Sequence, residues 1–176
     1  MSQLIERIKK RVWLGRNSLP YPPATFQQIN DAEERLGFPI PAILKQCYLE
    51  IGNGGIDESG SGLIGLDGGF TEIYGSLVDI YQDDLERPEW RRGLLAFWAW
   101  GATIYSCVDC LDPDLRIATL EEGKIYPQTY TLNEFFEMWA EGVNILNVEG
   151  VTFEKVEIMN PFTQKKATIS IRKRLQ

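Results

Sequence analysis

This 176-residue sequence predicts a mixed fold in which helices lead and short strands follow. Over the first 51 residues, apolar side chains recur every three or four positions, the period of an amphipathic helix. From about residue 62 they gather in short runs bounded by glycine and rich in branched and aromatic side chains, the signature of strands. A capping sequence at Thr131 then restarts helical spacing before the chain closes on two more strand-like runs.

Leu4, Ile5, Ile8 and Val12 predict a helix over residues 3–13. Its basic face is compatible with a membrane surface, but packing on the chain's own core is the simpler fate. "SLPYPPAT" is too rich in proline to continue the helix and reads as a linker loop. Thr25 and Gln28 form a capping box for a second helix, whose face is Phe26, Ile29, Ala32, Glu33 and Leu36. Gly37 supplies the left-handed turn that ends it. Pro39 imposes an extended approach, and Pro41 fits the first position of a third helix with the stripe Leu44, Cys47, Tyr48 and Ile51. Gly52 ends that helix, and Asn53-Gly54-Gly55 makes a tight turn.

"LIGL" at 63–66 reads as a strand, and "SLVDIYQDDLE" as a helix capped by Ser76. Residues 94–100 and 103–110 read as adjacent strands joined at Gly101. "RIATLE" and "GKIYP" add two more around an acidic glycine turn. The helix opening at Thr131 turns Leu132, Phe135, Phe136 and Trp139 inward and ends at Gly142. "VNILNVEG" reads as a linker. "VTFEKVEIM" and "ATISIRKRL" flank the turn-forming "NPFTQKK" as a terminal hairpin.

The net charge of −7 is unevenly spread. Residues 1–16 carry five Lys/Arg and one acid, and residues 161–176 carry five Lys/Arg and none. Residues 17–160 carry eight Lys/Arg against 24 Asp/Glu. Such an acidic body disfavours nucleic acid and steers basic partners, although acidic surfaces also serve solubility alone. No run approaches the roughly 18 apolar residues of a membrane span, and the N-terminus lacks a signal-peptide core. A soluble cytoplasmic chain is expected, and three cysteines fit a reducing compartment.

Histidine is absent, which removes the commonest general base and metal ligand, and with them any Ser-His or Cys-His nucleophile. "GSGLIG" at 60–65 has the G-x-G-x-x-G spacing, but no helix opens on its last glycine to receive a pyrophosphate. Cys107 and Cys110 have C-x-x-C spacing in a strand-like run, where residues three apart face opposite ways; buried apolar side chains are the expectation. Asp109 shares a strand face with Tyr105 and Cys107, so its carboxylate needs hydrogen-bond donors, and a structural role is expected. Carboxylates cluster at Asp83, Asp84 and Glu86, at Asp112 and Asp114, and at Glu121 and Glu122. Solvated charge is the plain reading of these clusters, a partner-binding surface the functional one, and catalysis or calcium the remainder.

"EERLGFPIPAILKQCYLEIGNGGI", Glu33 to Ile56, resembles the hallmark of the SUKH superfamily, in particular its Smi/Knr-type family. The matching residues are Glu33, Leu36, Gly37, Ile40, Pro41, Asn53, Gly54 and Gly55. Trp100-Gly101, the strand ending in Asp109 and the "YTLNEFFEMW" helix resemble its later blocks, so the likeness covers roughly residues 24–142. It implies an α+β fold, with N-terminal helices packed on a bent, mainly antiparallel β-sheet and a closing helix. The terminal strands add a C-terminal β-hairpin extension. The expected division is a SUKH-like domain at 1–149 and a basic extension at 150–176.

The resemblance also implies binding without a reaction. Many bacterial members look like immunity proteins that neutralise polymorphic toxins, often nucleases; a fungal branch regulates cell-wall assembly by binding signalling proteins. The expectation is a non-catalytic protein-binding module, foremost an immunity protein that covers a toxin's active groove. A signalling or cell-wall scaffold adaptor comes second, and an enzyme using carboxylate chemistry third. The partner is expected to be a basic toxin domain, met through Asp83, Asp84, Glu86, Asp112, Asp114, Glu121 and Glu122. No cofactor, metal, nucleic acid or membrane is expected.

Overall fold

The computed structural model describes residues 3–14, 21–57, 62–72, 75–87, 90–101, 103–148, 151–159 and 166–174. The chain falls into two compact units, residues 1–141 and 142–176. The fold is α+β, with a five-stranded antiparallel sheet in the first unit.

Helix α1, Gln3–Trp13, buries Ile5, Ile8 and Val12 and packs on two later helices, α3 (Ala42–Glu50) and α5 (Leu132–Ala140). Its basic face is used within the unit. Lys9 pairs with Glu50 at 2.9 Å, Arg7 with Glu141 at 2.7 Å, and the Arg11 guanidinium lies 4.8 Å from the centre of the Trp139 ring.

Helix α2, Phe26–Leu36, starts at the expected capping box and ends at Gly37 with φ +75°. Ile29, Ala32 and Leu36 are buried, but Phe26 is 73% exposed. At the first helical position it falls outside the stripe that the later residues define. Pro41 stands one position earlier than expected, as the residue that caps α3, with φ −52° and ψ 140°.

The sheet is a meander in the order β1 (Gly62–Leu63), β2 (Leu94–Gly101), β3 (Ile104–Asp109), β4 (Arg116–Glu121) and β5 (Lys124–Thr131). Register shifts interrupt β2 opposite β3 and β4 opposite β5, and such irregularities bend a sheet. Of the expected strand at 63–66 only Leu63 lies in β1, because from Gly65 onward the backbone is bonded elsewhere. Gly65 donates to the Phe70 carbonyl and accepts from Leu77. β5 runs on to Thr131, which caps α5 directly. Leu132, Phe135, Phe136 and Trp139 are buried as expected. Trp98 lies against Phe135, Phe136 and Trp139 with ring centres 5.0–6.1 Å apart, forming an aromatic core between β2 and α5.

Helix α4, Leu77–Asp84, opens on Ser76, whose hydroxyl and backbone N–H both bond the Asp79 carboxylate, at 2.7 and 3.0 Å. Arg35 of α2 reaches the other oxygen of Asp79 at 2.7 Å and Asp67 at 3.0 Å, locking the two helices and the intervening loop together.

In the second unit, the expected linker holds a one-turn helix, α6 (Ile145–Val148), begun by the Asn144 side chain, which accepts from the Asn147 N–H at 3.2 Å. Strands β6 (Val151–Met159) and β7 (Lys166–Arg174) then pair antiparallel from Val151↔Arg174 to Met159↔Lys166. Most of the turn expected between them, residues 18–20 of the loop expected before Thr25, and the first two residues of "GSGLIG" lie outside the described residues.

Hydrogen bonds from Ser76, then the pair with Arg35, hold Asp79 below the ordinary carboxylate value. A depressed folded-state pKa contributes stability above the unfolded value, and that contribution is lost as pH falls through the folded one. The stability gap between the wild type and Asp79→Asn, from urea unfolding, should therefore be largest near neutrality and shrink below about pH 4. A gap independent of pH would count against the ionic part of this cap. A chain ending at residue 149 keeps the whole sheet and the aromatic core, and is expected to unfold cooperatively in urea by circular dichroism. Absence of a transition would make residues 150–176 integral to the fold.

Candidate protein-binding site

The site rests on a frame built around Asn53, which is buried. Its side-chain oxygen accepts from the Leu66 N–H at 2.8 Å, and its amide lies 3.5 and 3.4 Å from the carbonyls of Leu66 and Asp67. Its own backbone N–H donates to Pro22 and its carbonyl accepts from Phe70, at 2.9 and 2.8 Å. One residue thus ties the approach to α2, the end of α3 and the loop leading to α4. That crossing leaves no room for side chains. A Cβ on Gly54, at φ +86°, would sit 2.7 Å from backbone atoms of Leu63 and Gly65, and one on Gly69 would collide with Asn53.

Glu33 performs a similar service. Its carboxylate accepts from the Ile40 N–H at 2.7 Å and from Lys45 at 3.0 Å, closing the extended corner before Pro41.

On this frame, the C-terminal end of α4 faces the tips of two neighbouring hairpins, β2–β3 and β4–β5. Between them is a cavity of about 360 Å³ lined by Ile80, Asp83, Asp84, Arg87, Thr103, Tyr105, Leu120, Glu122 and Gly123. Tyr105 and Leu120 stand directly opposite each other across β3 and β4 and, with Ile80, give it an apolar wall. Three carboxylates and one guanidinium surround that wall. Glu122 and Gly123 have φ +50° and +78°, the two left-handed positions of a tight hairpin turn, and Thr103 has φ +62° at the neighbouring tip.

The expected acidic residues divide. Asp83 is exposed on α4, and Glu122 is exposed across the cavity from it. Asp84 lines the cavity from inside, only 3% exposed, with its Oδ1 3.3 Å from Arg87 Nε. It is therefore not the solvated charge that the plain reading of its cluster expects. Glu86 is exposed beyond the end of α4 and outside the cavity lining. Glu121 is the last residue of β4, as the strand expected at "RIATLE" places it, but it is only 7% exposed rather than solvated. Side chains alternate along a strand, so it points away from Leu120.

Asp112 and Asp114 precede β4, whose six residues separate them from the cavity by about 15–20 Å. Arg116 holds Asp114 at 2.9 Å and lies 3.9 Å from Asp112. Asp112 lines a second cavity of about 440 Å³ with Arg91, Asp109 and Arg116, where acids and bases balance. Asp109 has the donors its position requires. It pairs with Arg91 at 2.9 Å and accepts from the Leu111 N–H at 3.1 Å.

The sequence reading did not single out Ile80, Arg87, Thr103 or Leu120. Leu120 and Tyr105 become neighbours only through the β3–β4 register, which the length of the turn sets.

None of the three cysteines forms a disulfide. Burial pushes the Cys47 thiol far up and, with the charge of Asp109, the Cys110 thiol up to about 12, so neither is an activated nucleophile. Among the described residues, no group of three or more His, Cys, Asp or Glu side chains is placed to hold a metal ion, and no helix is long and apolar enough to cross a membrane.

The model of the SMI1 / KNR4 family (SUKH-1) matches residues 23–154. The chain belongs to that family. The SUKH match spans all five strands, α2 to α5 and the cavity, and it contains Glu33, Gly37, Pro41, Asn53, Gly54 and Gly55. No curated protein sequence matches the chain. The residues that resemble the SUKH hallmark are thus frame residues, one step removed from the cavity.

Asn53→Ala removes the acceptor from a buried N–H and should lower stability by about 2–4 kcal/mol. Gly54→Ala forces a left-handed Cβ into backbone and should cost at least about 1–3 kcal/mol. Urea midpoints measure both, and a loss under about 0.5 kcal/mol in either would remove the frame from the account.

Proposed function

We propose that this SUKH-family chain is a non-catalytic protein-binding module, and that it acts as an immunity protein by covering the basic active groove of a toxin domain. The observation that carries the reading is the acid-rimmed cavity beside α4, within the acidic body of a chain whose family has many bacterial members that look like immunity proteins. A toxin that cuts nucleic acid needs a basic groove for phosphates. An acidic surface competes for that groove by charge and raises the rate of encounter. Asp83 and Glu122 supply exposed charge at the rim, Asp84 lines the cavity from inside, Glu86 adds exposed charge just beyond α4, and Asp112, Asp114 and Glu121 lie outside the cavity at the two ends of β4. No catalytic residue is assigned. A second reading, a scaffold for cell-wall signalling proteins, draws on the role implied by the resemblance to the family's fungal branch and on the basic residues of 161–176.

The direct test co-expresses the chain with a toxin domain encoded beside its gene. Restored growth and a stoichiometric complex in which toxin activity is lost are expected. Growth arrest that persists with both proteins soluble would sink the immunity reading. In the complex, charge reversal at Asp83, Glu86 and Glu122 should slow association about tenfold or more at low salt, and added salt should narrow the difference. Equal association rates for the folded variant and the wild type would move binding to another surface.

A further inference from the structure

We propose that the cavity between α4 and the two hairpin tips is a socket for a single arginine side chain presented by the protein partner. This rests on the protein-binding reading above and names what the cavity grips. At about 360 Å³ it is at the lower end of the size of ligand clefts, suited to one side chain rather than to a cofactor. Its walls differ in a way that an arginine matches. Ile80 and Leu120 offer apolar surface for the methylene stem, and the buried Tyr105 ring beside them offers a face for a flat cation.

The charge is set for a cation. Asp83 reaches the rim from the helix and Glu122 from the hairpin, so the two carboxylates approach from opposite walls. Asp83 forms no ion pair among the described residues. Asp84 lies deeper, and its charge is met by Arg87 at 3.3 Å. The lining therefore holds two more carboxylates than cations, and it already seats one guanidinium of the chain's own.

Arginine fits better than lysine for two reasons. A planar fork bridges two carboxylates at once, where an ammonium is a point charge. A guanidinium also loses less hydration on entering a half-apolar space. Glu122 and Gly123 occupy the two left-handed positions of the hairpin turn, so the backbone of that turn presents the Glu122 side chain to the cavity lining.

The test titrates the isotope-labelled full chain with N-acetyl-arginine amide and follows backbone amide resonances. Saturable shifts confined to Asp83, Thr103, Tyr105, Leu120, Glu122 and Gly123 are expected. N-acetyl-citrulline amide, which has the same shape without the charge, should bind at least about fivefold more weakly. The double variant Asp83→Asn, Glu122→Gln should weaken the arginine probe by a similar factor while the remaining resonances keep their positions. Four outcomes overturn the proposal: no saturable shift up to about 50 mM probe, well above millimolar affinity; equal binding of citrulline; shifts centred elsewhere; or a lysine probe binding as tightly as arginine. The titration needs no toxin. Its failure leaves the immunity reading standing on its own growth test, and failure of the growth test leaves the socket standing.

Discussion

The carboxamide of Asn53 is the constraint on which the rest of the first unit depends. A buried amide side chain is stabilising only when its polar atoms are satisfied, and here they are satisfied by backbone groups of a loop more than ten residues away. That demand brings Leu66, Asp67 and Phe70 against the end of α3. The glycines around the crossing follow from it, since backbone can approach backbone this closely only where side chains are missing. Tyr48 adds a second tie by donating to the Ile64 carbonyl at 2.7 Å. The start of α4 is set by the same loop, because Leu77 bonds the Gly65 carbonyl. The cavity beside the far end of α4 is therefore positioned by an asparagine that does not line it.

The frame and the cavity divide the chemistry between them. The frame uses neutral amides, glycines and one paired carboxylate, Glu33, bonded to the Ile40 N–H and Lys45. The cavity rim uses exposed carboxylates at the end of a helix and on a turn, where substitution costs little stability. Exposed carboxylates at such positions can be exchanged at little cost to the fold, whereas the buried hydrogen bonds of Asn53 cannot.

Local chemistry made much of this fold legible in the sequence. The capping boxes at Thr25, Ser76 and Thr131 and the left-handed Gly37 are decided by neighbouring residues, and all four stand where the sequence places them. Features decided by distant residues were not legible in this way. "LIGL" has the composition of a strand, yet the backbone of its second half, Gly65 and Leu66, is claimed by Asn53, Phe70 and Leu77. Glu33 looked like a helix-face residue because its partner, the Ile40 N–H, lies across a corner. Charge at Asp83 and Glu122 is visible in one dimension, but the apolar wall between them needs the β3–β4 register. The burial of Asp84 and Glu121 needs the packing of α4 and the alternation of β4.

The cysteines carry a consequence of a different kind. Cys47 and Cys107 are sealed in the interior, and Cys110 is held almost wholly as the neutral thiol at physiological pH. All three belong to the first unit, and none is crosslinked. In the folded chain, then, thiol reagents and oxidants meet protected or poorly reactive sulfur, and modification of the two sealed thiols proceeds through opening of the unit that contains them. The chain carries a chemical clock for its own unfolding, one that runs for the sheet and helices of the first unit and is blind to the hairpin of the second.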